Sequence, residues 1–195
     1  MSVKGGARER ARRAMRAEVS AVAAELVLDQ GYEETTVDDI CSAAEISRST
    51  FFRYFPAKED ALFGDTAEAG EVLRDVLAAR PADEAPWVAL RRALDPLISR
   101  YEADDEQMWR LTRLVVNTPA LAAHHRAKNA RWHELLRPDI ARRLGADPAD
   151  MTDPRTDAVI AAALGCVEAA LKAWTSGDEP RALPELLDRA MGAVG

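Results

Sequence analysis

The sequence predicts an all-α fold, on three observations. Apolar residues recur at the helical period along nearly the whole chain, and no segment alternates as a half-buried strand would. Alanine, leucine and arginine dominate, and all three are strong helix formers. Gly31 and Pro119, Pro154 and Pro180 punctuate the periodic runs where helices end and begin.

The first helix is expected from about Glu9 to Gln30, with Val19, Val22, Ala23, Leu26 and Val27 as one apolar stripe and Gly31 closing it. Thr36 is suited to cap a second helix, with Asp39 three residues on in the place of a capping box. Val37, Ile40, Cys41 and Ala44 then line its inner face. Ser47 caps a third helix and Pro56 stops it. A fourth is expected from Lys58 toward Ala79, followed by a proline-rich, charged loop over 79–86. Further helices are expected at Trp87 to Tyr101, Asp105 to Asn117, Pro119 to Leu144, Pro154 to Ser176 and Pro180 to Val194, with a loop over 145–154.

At 195 residues the chain holds one large or two small domains, and 48% hydrophobic with 30% charged residues fits a soluble globular protein. No apolar run of spanning length is evident and the basic N-terminus lacks a signal-like apolar core, so no membrane partner is expected. Cys41 and Cys166 stand far apart outside any CxxC context, which fits a reducing cytoplasm. The net charge is −7, yet Lys4, Arg8, Arg10, Arg12, Arg13 and Arg16 face only Glu9 in the first sixteen residues. Such a basic arm binds phosphate through its local field, and is expected to be disordered in the free protein.

The stretch Thr35 to Lys58, TTVDDICSAAEISRSTFFRYFPAK, carries most of the functional signal. Two short helices about a tight turn form a helix-turn-helix, in which the first helix braces the second and the second lays its N-terminal residues in the major groove of DNA. Those residues are Ser47, Arg48, Ser49 and Thr50. Arg48 suits a bidentate pair with guanine, which discriminates by about 1–3 kcal/mol. Phe51 and Phe55, four apart, face inward; Tyr54 projects differently and offers a hydroxyl to phosphate; Lys58 is placed for another phosphate.

GYEETTVDDICSAAEISRSTFFRYFPAKEDAL resembles the DNA-binding signature of TetR-family transcriptional repressors over about residues 13–73, with the helix-turn-helix at about 36–55. The resemblance implies an N-terminal three-helix DNA-binding domain and a larger helical effector-binding and dimerisation domain over 74–195. It further implies a homodimer on a palindromic double-stranded operator, with Thr36, Ser47, Arg48, Ser49, Thr50, Tyr54 and Lys58 at positions that commonly touch DNA. Two residues depart from the pattern. Glu45 stands in the turn where many members have glycine, so either its backbone is strained or the turn differs. Phe52 stands where a tyrosine often binds phosphate, leaving it a van der Waals contact.

The C-terminal part, from RLTRLVVNTPALAAHHRAKNARWHELL onward, resembles a subgroup of that family typified by the mycofactocin-system regulator, which implies an apolar or acyl-CoA-like effector. Trp109, Thr112, Arg113 and Val116 are the candidate effector-binding residues. No metal site is expected: His124 and His125 point to different sides of a helix, and with His133 they lack a completing acid or cysteine. No cofactor and no catalytic residue is expected either, since GxGxxG, P-loop, HExxH and GxSxG motifs are all missing. A ligand-independent DNA binder is the alternative, and a helical enzyme a weaker one; the long alanine-rich second part favours a sensor.

Overall fold

The computed structural model describes residues 3–63, 66–102, 105–177 and 182–195. Among them there are eleven helices and no strand. The chain divides into two units, Met1–Thr66 and Ala67–Gly195.

In the first unit, α1 (Val3–Gln30) is longer than the sequence predicts. The basic arm continues the helix instead of lying disordered, because its alanines and arginines are strong helix formers and outweigh the glycine pair at 5–6. Val19, Ala23, Ala24 and Val27 form the buried stripe, while Val22 and Leu26 sit at its margin. Gly31, at φ +95°, ends α1 with a backbone that side chains rarely adopt. Two short helices follow, α2 (Val37–Ala43) and α3 (Arg48–Tyr54), and then α4 (Lys58–Leu62). α1 packs on α2 and α4, and α2 on α3. Ile40, Phe51, Phe55 and Ala61 are fully buried there.

The expected fourth helix is two helices, since α4 ends at Leu62 and α5 spans Thr66–Ala78. The second unit continues with α6 (Pro86–Ala93), α7 (Asp95–Glu102), α8 (Asp105–Asn117), α9 (Pro119–Arg143), α10 (Arg155–Thr175) and α11 (Leu183–Gly192). The run expected as one helix from Trp87 to Tyr101 is broken between α6 and α7. Pro96 cannot donate to the carbonyl four residues back and its ring crowds that carbonyl. Pro184 occupies the first turn of α11, whereas Pro180, expected there, lies outside the described residues. Pro154 sits at the N-cap of α10, one residue before the helix.

α10 is the centre of this unit and packs against α6, α8, α9 and α11. Contrary to the expectation of no such run, it is long and apolar enough by length and composition to cross a membrane, alone among the described helices. One face, with Ile160, Ala163, Val167, Leu171 and Trp174, is buried in the core with Leu77, Leu94, Ile98, Leu136 and Ile140. Burying each large aliphatic side chain contributes about 1.5–3 kcal/mol. Arg143, almost fully buried, ion-pairs with Asp139 and donates to the carbonyls of Leu77, Arg80, Pro81 and Glu84. It thereby ties α9 to the last turn of α5, through Leu77 O, and to the loop that follows, through Arg80, Pro81 and Glu84.

Candidate nucleic-acid interface

Both helices of the motif start with side-chain caps. The Thr36 hydroxyl accepts from Asp39 N at 3.2 Å and donates to the Asp39 carboxylate at 2.6 Å, which also accepts from Thr36 N at 2.8 Å. The Thr36 hydroxyl, then its N–H, hold the Asp39 pKa below the ordinary carboxylate range. Ser47 accepts from Thr50 N at 3.1 Å and hydrogen-bonds with the hydroxyls of Ser49 and Thr50. Between the helices Ile46 N donates to Cys41 O at 2.9 Å, and Glu45 adopts φ +52°. Of the two possibilities that Glu45 raised, the left-handed backbone is the one found.

This turn fixes what α3 presents. Phe51 and Phe55 are fully buried and 5.3 Å apart, as the spacing predicts. Ser47, Arg48, Ser49, Phe52 and Arg53 are exposed and Thr50 and Tyr54 are half-buried. Phe52 is 47% exposed and meets Phe51 edge-on at 5.4 Å. Arg48, at the first position of α3, donates to the carboxylate of Asp38 at 2.5 Å, and its guanidinium lies 5.7 Å from the Phe52 ring.

Arg16, Tyr32 and Glu59, none of them in the sequence-based set, hold this surface in place. Arg16 donates to the carbonyl of Tyr54 at 2.5 Å and lies over the Phe55 ring at 4.8 Å, so it ties α1 to the end of α3. Tyr32 donates to Glu59, and burial first, then that carboxylate, raises the Tyr32 pKa. Lys58, one of the predicted phosphate contacts, packs on Tyr32. It donates to Tyr32 O at 2.7 Å and Thr35 O at 2.8 Å, with its ammonium 4.1 Å from the Tyr32 ring. Two of its three donors are thus turned to the loop between α1 and α2. The glycine-tyrosine pair at 31–32 and the lysine at 58 were visible in the sequence, but their contact needs the fold.

In the second unit, Trp109 is half-buried against the core and donates to Trp174 O at 3.1 Å. Thr112 is buried, Val116 half-buried, and Arg113 exposed with its guanidinium 5.0 Å from the Trp109 ring. A groove of about 420 Å³ is lined by Arg126, Ala130, His133, Glu134 and Leu164, which shares no residue with those four. His133 faces Asp157 at 3.8 Å, and among the described residues no cluster of three potential metal ligands forms.

Family models match both units: "Bacterial regulatory proteins, tetR family" over residues 20–63 and "MftR C-terminal domain" over 84–195. The HTH-type transcriptional regulator TcmR of Streptomyces glaucescens is 33% identical over 168 residues, 83% of this chain and 74% of that protein. MftR of Mycobacterium tuberculosis, assigned to regulation of mycofactocin biosynthesis, is 32% identical over 177 residues, 91% of this chain and 87% of its own. Among solved structures, the repressor FadR of Thermus thermophilus, in complex with lauroyl-CoA, shares the fold with a TM-score of 0.57. It is 22% identical, with 91% of each chain covered.

Proposed function

The chain belongs to the TetR family of bacterial regulatory proteins, and from that premise we propose a cytoplasmic repressor that binds a palindromic operator as a homodimer and leaves it when a small effector binds. It is a DNA-binding transcriptional regulator. The DNA reader is assigned to residues 13–73 and the regulatory part to 74–195. The observation that carries the reading is α3 itself: a capped helix, anchored by two buried phenylalanines, with Ser47, Arg48, Ser49, Thr50 and Phe52 along its accessible side. Arg48 reads a base edge. Thr36, Ser47, Ser49, Thr50 and Tyr54 meet backbone or bases through hydroxyls, and Phe52 makes apolar contact. Lys58 has one donor left for a phosphate beside its two loop carbonyls.

Selection of bound duplexes from a random pool tests this. A two-fold protein is expected to enrich a palindrome with half-sites about 34–36 Å apart or a multiple, and its affinity should fall steeply with salt. Return of no enriched palindrome would overturn the reading.

The effector is an apolar molecule, with a long-chain acyl-coenzyme A as the leading chemistry. Support comes from the MftR-type second unit and from the lauroyl-CoA complex of a protein that shares the fold. Trp109, Thr112, Arg113 and Val116 are the proposed contacts, with the exposed Arg113 suited to a phosphate and Trp109 to the acyl chain. The effector shifts the population toward the form it binds better, and a coupling of roughly 1–3 kcal/mol is typical. Titrating DNA release with acyl-CoAs of graded length is the test. Potency should rise with chain length and fall in Trp109→Ala and Arg113→Ala. Equal weak effects at every length, unchanged in both variants, would remove the acyl assignment.

A further inference from the structure

Asp38 stands outside the DNA-reading set, yet it holds the side chain at the head of the reading helix. Arg48 Nη1 donates to Asp38 Oδ1 at 2.5 Å across the turn, ten residues apart in sequence. The same guanidinium lies 5.7 Å from the ring of Phe52, four residues further along α3. Phe52 is itself braced edge-on by the fully buried Phe51. Arg48 is therefore engaged by a carboxylate and an aromatic ring, although 58% of its side chain and 67% of that of Asp38 remain accessible.

We propose that Asp38 is a specificity-determining residue. With Phe52 it sets the conformer in which Arg48 meets guanine, so a base preference depends on a residue that touches no base. The inference rests on the DNA-reading function proposed above. The chemistry follows from the shape of the guanidinium, which carries five N–H donors in one plane. Bonding at Nη1 leaves the Nε–Nη2 edge, two parallel donors, to match O6 and N7 of guanine. An arginine ordered before binding loses less freedom when the base pair forms, and the gain falls on the base that fits. Asp38 also brings negative charge toward the phosphates, which weakens binding to every sequence alike. The two effects have opposite signature: one concerns preference, the other general affinity.

A local role for Asp38 at the start of α2 is the competing explanation, since carboxylates are favoured at helix N-termini. The capping box of α2, however, is made by Thr36 and Asp39 without it. Asp38→Asn keeps an oxygen acceptor near the helix start while removing the charge, and Asp38→Ala removes both.

The experiment uses the full chain and duplexes selected by it from a random pool. At the position whose preference Arg48→Ala relaxes, all four base pairs are compared, beside an unrelated duplex. The parent should prefer guanine by about 10-fold or more, and both Asp38 variants should cut that to roughly a third or less. Both should bind the unrelated duplex at least as well as the parent. In the Arg48→Ala background, Asp38→Ala should change the preference no further, because the effect runs through Arg48. A uniform gain in affinity with the guanine preference intact would overturn the proposal and leave Asp38 as a source of repulsion. Equal loss on every duplex with a lowered Tm would overturn it in favour of the helix-start role. No enriched sequence with the parent protein would overturn the DNA-reading function itself, and this inference with it.

Discussion

Glu45 holds a left-handed backbone, φ +52°, so that α3 can leave the turn at the angle α2 requires. A residue with a Cβ loses about 1–2 kcal/mol in that region, whereas glycine costs about 0.5–1 kcal/mol in backbone entropy. Glu45→Gly is therefore expected to raise stability by about 0.5–1 kcal/mol, read from the urea midpoint, with the DNA preference kept. Lys58 raises a different question, because its ammonium serves the fold before any phosphate. Its two carbonyl bonds are charge-assisted and partly buried. Lys58→Ala should lower stability by about 1–3 kcal/mol. A lysine that met phosphate alone would instead leave the urea midpoint unchanged and shallow the salt slope by about one. The two measurements together divide its roles.

Helix α5 shows at the element scale why a glycine sits in a helix interior. A Cβ on Gly70 would lie 2.5 Å from Cδ1 of Trp132, a ring packed into the core between α5 and α9. Alanine gains about 1 kcal/mol of helix propensity over glycine. Overpacking a rigid ring costs about 1–3 kcal/mol, so Gly70→Ala should be net destabilising in thermal unfolding. The loop before α10 has a pH signature instead. The Arg155 side chain, then its backbone N–H, draw the pKa of Asp153 down to about 2 from an ordinary value of about 3.9. A depressed carboxylate stabilises the folded form above its unfolded pKa, and that contribution is lost as pH falls from about 4 through about 2. Carboxyl NMR should show Asp153 titrating near the lower value in the folded chain.

For the whole molecule, α10 carries the face expected to form the homodimer proposed above. Under half of its most apolar stretch is buried, and Ala158, Ala161, Gly165, Ala169 and Ala173 are exposed along one side of it. Small side chains let a second helix approach closely. Nothing lies within 4 Å of a Cβ placed on Gly165, so an added side chain there is free of clash within one chain. Gly165→Arg should leave the far-UV spectrum and monomer stability unchanged or improved, yet shift sedimentation from dimer to monomer and weaken palindrome binding. A variant that remained dimeric would place the interface elsewhere.

Local signals in the sequence determined the caps at Thr36 and Ser47, the glycine stop at Gly31 and the inward Phe51–Phe55 pair. Each depends on residues within four positions of one another, where backbone geometry leaves few alternatives. The same short-range logic gave the all-helical class. It fails where a break or a partner lies outside the window: the apolar pattern runs on through Pro96, where α6 and α7 part, and past Phe63, although α4 ends at Leu62. Only the tertiary structure decided that Lys58 bonds the loop 23 and 26 residues earlier, that Arg16 reaches Tyr54, and that Asp38 reaches Arg48. The physical reason is common to all three. A long charged side chain has many rotamers and several possible acceptors, and only the packing of α1, α2, α3 and α4 brings one acceptor within reach.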